Sequence, residues 1–176
     1  MADRRAADDS DENGDELLSP TIVVAQPADL LGRVGEHLGW SKWHTVTQAE
    51  IDHFAEATGN RAPIHIDPEY AKHTPYGRTI AFGMQIQAMT TMLLSDLWEL
   101  RVTDGVDVGS NKVRHLAPVF AGARVRLGAV VAAAEEVASG VRTTLDLTFE
   151  VDDNERPACV AQIVYIYGFG NDAATP

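Results

Sequence analysis

Residues 55–84 read AEATGNRAPIHIDPEYAKHTPYGRTIAFGM, and the fold depends on how this stretch divides. A short amphipathic helix is predicted to end at Thr58-Gly59, with Ile51, Phe54, Ala55 and Thr58 on its buried face. Thr47 to Glu50 forms a capping box at its start, and Gly59 stops it. A polar loop then presents Asn60, Arg61 and His65, and a second loop, 74–78, leads into an apolar helix predicted from Thr79 to about Leu100. A histidine on a Gly/Pro-shaped loop therefore stands close in sequence to a helix start. Imidazole changes charge between about pH 5 and 8, so it can activate water near neutrality. A helix start carries free N–H groups, which suit a developing oxyanion. Together these are two parts of a carbonyl-chemistry site.

The same residues resemble the signature loop of the MaoC-like hydratases, the (R)-specific enoyl-thioester hydratases of the hot-dog fold. That family's loop reads roughly A-x-x-[ST]-G-D-x-x-x-[IVL]-H-x-D-P, followed by F-G-x-x-I-A-H-G. The matching residues are Ala55, Thr58, Gly59, Ile64, His65, Asp67 and Pro68, then Tyr76, Gly77, Ile80, Ala81 and Gly83. Two positions depart from the pattern. The family's catalytic Asp is Asn60, and the His before the helix glycine is Phe82. The resemblance continues through Gly109 to Arg114, Ala117-Pro118-Val119, Gly122 to Val125 and Pro157 to Ala161, and it covers roughly residues 28–168.

The resemblance implies an α+β hot-dog domain over 20–170, with an antiparallel sheet wrapped around a long central helix. It implies a catalytic set of His65, Asn60 and Gly83, in which His65 is the acid/base and the Gly83 N–H holds the thioester oxygen. Asn60 cannot take a proton, because a neutral amide only donates and accepts hydrogen bonds. The substrate would be an acyl-CoA or an acyl carrier protein thioester, and the assembly a homodimer. Substrate-binding candidates are Arg61, Tyr76, Thr79, Phe82, Met84 and Asn111, with Lys112 and Arg114 beside the last. Arg61 is either a phosphate or carboxylate contact or a solvent-facing cation. Phe82 makes an apolar wall. Met84, Met89 and Met92 either pack in the core or line an acyl tunnel. Asp67 is read as a cap on the turn at Pro68. The activity expected is hydratase/dehydratase. A repurposed addition, cyclisation or thioester hydrolysis stands beside it, as does a catalytically degenerate binding subunit.

The rest of the chain fits one domain. At 176 residues with 45% apolar and 23% charged side chains, it can bury a proper core. Net charge is −12, and residues 1–19, read as a disordered tail, hold seven acids against Arg4 and Arg5. The absence of a basic patch argues against nucleic acid as a partner. Cys159 stands alone and lies in a strand-like run, which suggests a buried thiol, a reducing compartment and a cytoplasmic location. The six histidines show no H-x-x-x-H spacing, so no metal is expected, and no cofactor either. His44 and His53 are read as surface or half-buried. No apolar run is long enough to span a membrane.

Secondary structure outside the motif follows from spacing. Thr21 to Ala25 reads as an edge strand or an extended lead-in, Ala28 to Leu38 as a helix stopped by Gly39, and Trp43 to Thr47 as a short strand. Four strands, 106–116, 123–134, 140–151 and 158–167, are predicted to form a consecutive meander. Residues 171–176 read as a tail.

Overall fold

The computed structural model describes residues 22–102, 104–152 and 154–168. The tails expected over 1–19 and 171–176 lie outside them.

The chain enters as β1 (Ile22–Val24) and passes through a 3-10 helix, Pro27–Arg33, to β2 (His37–Trp40) and β3 (His44–Thr45). The helix expected over 28–38 therefore does not form. Gly32 and Gly35 weaken it, Gly35 takes φ 85°, and His37 to Trp40 pair with a neighbouring strand instead. Gly39, expected as a stop, lies within β2. Helix α1 (Gln48–Thr58) forms as expected. Thr47 and Glu50 close the capping box, and Gly59 ends the helix at φ 70°. Two short helices follow, α2 (Pro63–Ile66) and α3 (Pro68–Ala71). The Asp67 carboxylate accepts from the Glu69 and Tyr70 N–H groups at 2.9 and 3.1 Å, so it caps α3.

The long helix expected from Thr79 is shorter at both ends. Residues 79–82 are extended, held by Ala81 N–H to Val119 O at 2.7 Å and Ala121 N–H to Thr79 O at 3.1 Å. Helix begins only at Gly83, as α4 (Gly83–Ala88) and α5 (Thr90–Leu94), joined through the helical backbone of Met89. Beyond it, β4 (Trp98–Leu100) pairs in parallel with β1. Backbone partners distant in sequence overrode local periodicity at both ends. The helix is not buried all round either, because Met84 and Met92 are exposed.

Four long strands complete the fold: β5 (Gly105–His115), β6 (Arg124–Val137), β7 (Gly140–Val151) and β8 (Cys159–Tyr167). The antiparallel sheet runs β2-β6-β7-β8-β5, with β3 also paired to β6. Only β6, β7 and β8 make a meander. β5 pairs with β8 at the far edge, so the connection 116–123 crosses back and runs beside residues 79–81. On β7 the inward residues alternate as Val141, Thr143, Leu145, Leu147, Phe149 and Val151. Except for Thr143 they join Leu127, Ala129, Cys159 and Ile163 in one core with Ile86, Leu93 and Leu94 of α4 and α5 and with Leu97 beyond them. A sheet curled against a helical segment is the α+β arrangement the sequence implied. Cys159 is buried, and burial pushes its thiol pKa up. His44 is half-buried and paired with Glu50, and His53 is exposed.

Candidate active site

The crossing of 79–83 with 116–119 leaves a cavity of about 280 Å³. Its polar lining side chains are His65, Tyr76 and His115. Gly83 and Ile86 come from α4, and Pro118 and Val119 from the connection after β5. Among the described residues no carboxylate lines it.

His65 is held from three sides. Its ring Nδ1 lies 2.8 Å from Ile80 O. A carbonyl only accepts, so Nδ1 carries the proton and neutral His65 keeps a free lone pair on Nε2. The ring stacks on Phe82 with centroids 3.8 Å apart, and Phe82 in turn packs on Phe54. The backbone is held by Gln48, whose amide donates to His65 O at 2.8 Å and to Asp52 at 2.8 Å. Gln48 Oε1 accepts from the buried Thr79 hydroxyl at 2.6 Å. A single glutamine on α1 thus ties the histidine loop to the strand that precedes α4.

Gly83 is the first residue of α4, and Phe82, its N-cap, supplies no side-chain cap. The first-turn N–H groups therefore have no helical partner. A Cβ at Gly83 would sit 2.8–2.9 Å from the His115 ring atoms Cδ2, Cε1 and Cγ. Glycine at 83 is what lets that imidazole lie over the helix start.

The chain matches the family model described as "MaoC like domain" over residues 29–151. The chain belongs to the MaoC-like domain family. It is 40% identical over 142 residues to the 3-hydroxyacyl-thioester dehydratase Z of Mycobacterium tuberculosis, covering 80% of this chain and 94% of that one. It is 38% identical over 146 residues to nodulation protein N of Rhizobium leguminosarum bv. viciae, covering 81% and 91%. Among solved structures, the (R)-hydratase from A. caviae involved in PHA biosynthesis superposes with a TM-score of 0.64 at 24% identity, over 76% of this chain and 95% of that one. That likeness establishes the hot-dog fold.

Measured against the MaoC-like motif, the predicted site residues separate. His65, Gly83 and Tyr76 line the cavity. Phe82 is buried behind the His65 ring, as a backing rather than a wall of the cavity. Thr79 is also buried, and its hydroxyl bonds to Gln48, so it positions the loop. Asn60 is exposed and outside the lining; its Oδ1 accepts from Ala62 N–H at 3.2 Å. Arg61 is exposed and outside it too. Met84 is 62% exposed and does not line the cavity. Asn111 donates to Gln162 at 2.8 Å and lines a separate hollow with Ser110 and Arg142.

Sequence reasoning missed two residues. Gln48 reads only as part of a capping box. His115 follows directly on the quoted run that ends at Arg114. The expectation from the resemblance that Phe82 stands where the motif has a histidine is the signal that points to an imidazole elsewhere.

Proposed function

We propose that this chain is a hydratase/dehydratase that interconverts α,β-unsaturated and 3-hydroxyacyl thioesters of CoA or an acyl carrier protein. The observation that carries the reading is His65: its Nδ1 is tied to Ile80 O, so the basic nitrogen is Nε2, on a ring that lines a cavity shared with the Gly83 helix start. Nε2 takes a proton from water as the water oxygen attacks the β-carbon. Negative charge then develops on the thioester oxygen, and the open N–H at Gly83 is placed to stabilise it. Tyr76 stands at the cavity as a substrate contact. The dehydratase name of the M. tuberculosis relative supports the same chemistry.

The working unit in this reading is a homodimer. β5 is a sheet edge that exposes Val106 and Val108, and an exposed apolar edge strand is a natural pairing surface. One buried, unpaired thiol suits a cytoplasmic setting.

A second reading has one specific observation behind it: among the described residues no carboxylate lines the cavity, and Asn60 makes a local turn. It makes the chain a binding subunit beside an active relative. Incubating the purified chain alone with crotonyl-CoA separates the two. Loss of the enoyl absorbance with 3-hydroxybutyryl-CoA formed supports the hydratase. An inert chain that co-purifies with a stoichiometric, active hot-dog partner supports the subunit.

A further inference from the structure

We propose that His115 is a second catalytic residue, the proton donor to the α-carbon, and that it replaces the carboxylate missing at Asn60. This rests on the hydratase reading above.

Hydration needs two proton-transfer roles, a base for the water and an acid for the α-carbon. His65 fills the first. The motif position for the second is an amide, and its oxygen is engaged with Ala62 N–H. The cavity supplies one other imidazole. His115 ends β5, where its cross-strand partner is Cys159 of β8. Its ring lies against the α-carbon of Gly83, the residue that starts the central helix. That places a proton-bearing ring beside the oxyanion donor, where the enolate forms. Among the described residues no hydrogen bond holds either of its ring nitrogens, whereas His65 is fixed at Nδ1. The two imidazoles thus differ in their surroundings: His65 has a set tautomer, and neither ring nitrogen of His115 is tied to a protein partner. Among the cavity's lining residues, the only other titratable side chain is Tyr76.

The step balances. Water gives a proton to His65 Nε2, and its oxygen bonds to the β-carbon. The π pair moves into the enolate, whose charge rests on the thioester oxygen. The enolate collapses as the His115 imidazolium gives its proton to the α-carbon. H and OH have been added across the double bond. His65 is left protonated and His115 neutral, and one proton returns from the first to the second through water.

The test uses full-length His115→Phe and His115→Ala beside wild type, on crotonyl-CoA. Phenylalanine keeps a ring over Gly83 but cannot transfer a proton. The expected result is a kcat loss on the order of 10²-fold in both variants with KM little changed, the lower end of what one positioned acid contributes. Free imidazole should restore part of the rate in His115→Ala and none in His115→Phe. A His115→Phe enzyme at the wild-type rate overturns the proposal, because packing then suffices. Equal loss in both variants without imidazole rescue of a folded His115→Ala, judged by its melting curve, also overturns it. Wild type inert on enoyl thioesters overturns the parent reading instead.

Discussion

Asn60 is the residue that the resemblance in sequence puts where an aspartate is expected. Its side chain lies outside the cavity and is engaged in a turn with Ala62. An aspartate accepts the same hydrogen bond. Asn60→Asp should therefore fold normally and give little gain in hydration rate, well short of the roughly 10²-fold that a newly placed acid/base group brings. Steady-state kinetics on crotonyl-CoA reads this directly, and a large gain would put the second proton back at position 60. Gly83→Ala should behave differently. The added Cβ would meet the His115 ring at 2.8–2.9 Å, including Cγ next to the backbone, so the ring must leave the helix start. Catalysis should fall at least about tenfold, the scale of a small misplacement in a site, while far-ultraviolet circular dichroism stays unchanged.

At the scale of elements, α1 links stability to the site. Replacing Thr47 by alanine removes the cap on the Glu50 N–H, and this should cost about 1 kcal/mol in a denaturant titration. Gln48→Leu should cost more in rate than in stability. It unties Thr79 from the His65 loop, so kcat should drop while the melting temperature moves little. The Glu50 carboxyl pKa lies below its ordinary 4.5: burial pushes it up, but the Thr47 N–H and hydroxyl and His44 together hold it down. The folded state therefore favours the carboxylate. That contribution is complete above pH 4.5 and is lost as pH falls through the lower folded value. Acid melts of wild type should accordingly lose an increment of stability that Glu50→Gln lacks.

The same elements show what the sequence could reveal. The capping box, Gly59 and the bounds of β7 were legible because their signals are local and chemical. The start of the central helix was not. Thr79 to Phe82 follow an apolar helical pattern, yet the Ala81 N–H and the Thr79 C=O pair with Val119 and Ala121, some forty residues on, and the Ile80 N–H pairs with Ile64 O. The helix expected over 28–38 failed for the same reason, since His37 to Trp40 pair with β6. That His65 would lie at the cavity was legible from its motif. His115 was not, because only the crossover from β5 to β6 brings residue 115 over residue 83.

At the scale of the molecule, β5 is the exposed edge of the sheet, and its valines 106 and 108 face solvent in the single chain. Pairing through this edge predicts a particle of twice 19.1 kDa in sedimentation. Val108→Lys should shift the particle toward 19.1 kDa, because a buried unpaired ammonium is costly. A wild-type monomer would remove the edge-pairing argument. No helix among the described residues is long and apolar enough to cross a membrane.

His65 as the base is the claim most directly open to measurement. The measurement is hydration of crotonyl-CoA, followed at the enoyl thioester absorbance, for wild type and His65→Ala at matched concentrations. The account predicts a wild type that turns over and a variant slowed on the order of 10²-fold or more, the loss of one positioned base. A His65→Ala enzyme that hydrates at the wild-type rate would contradict it.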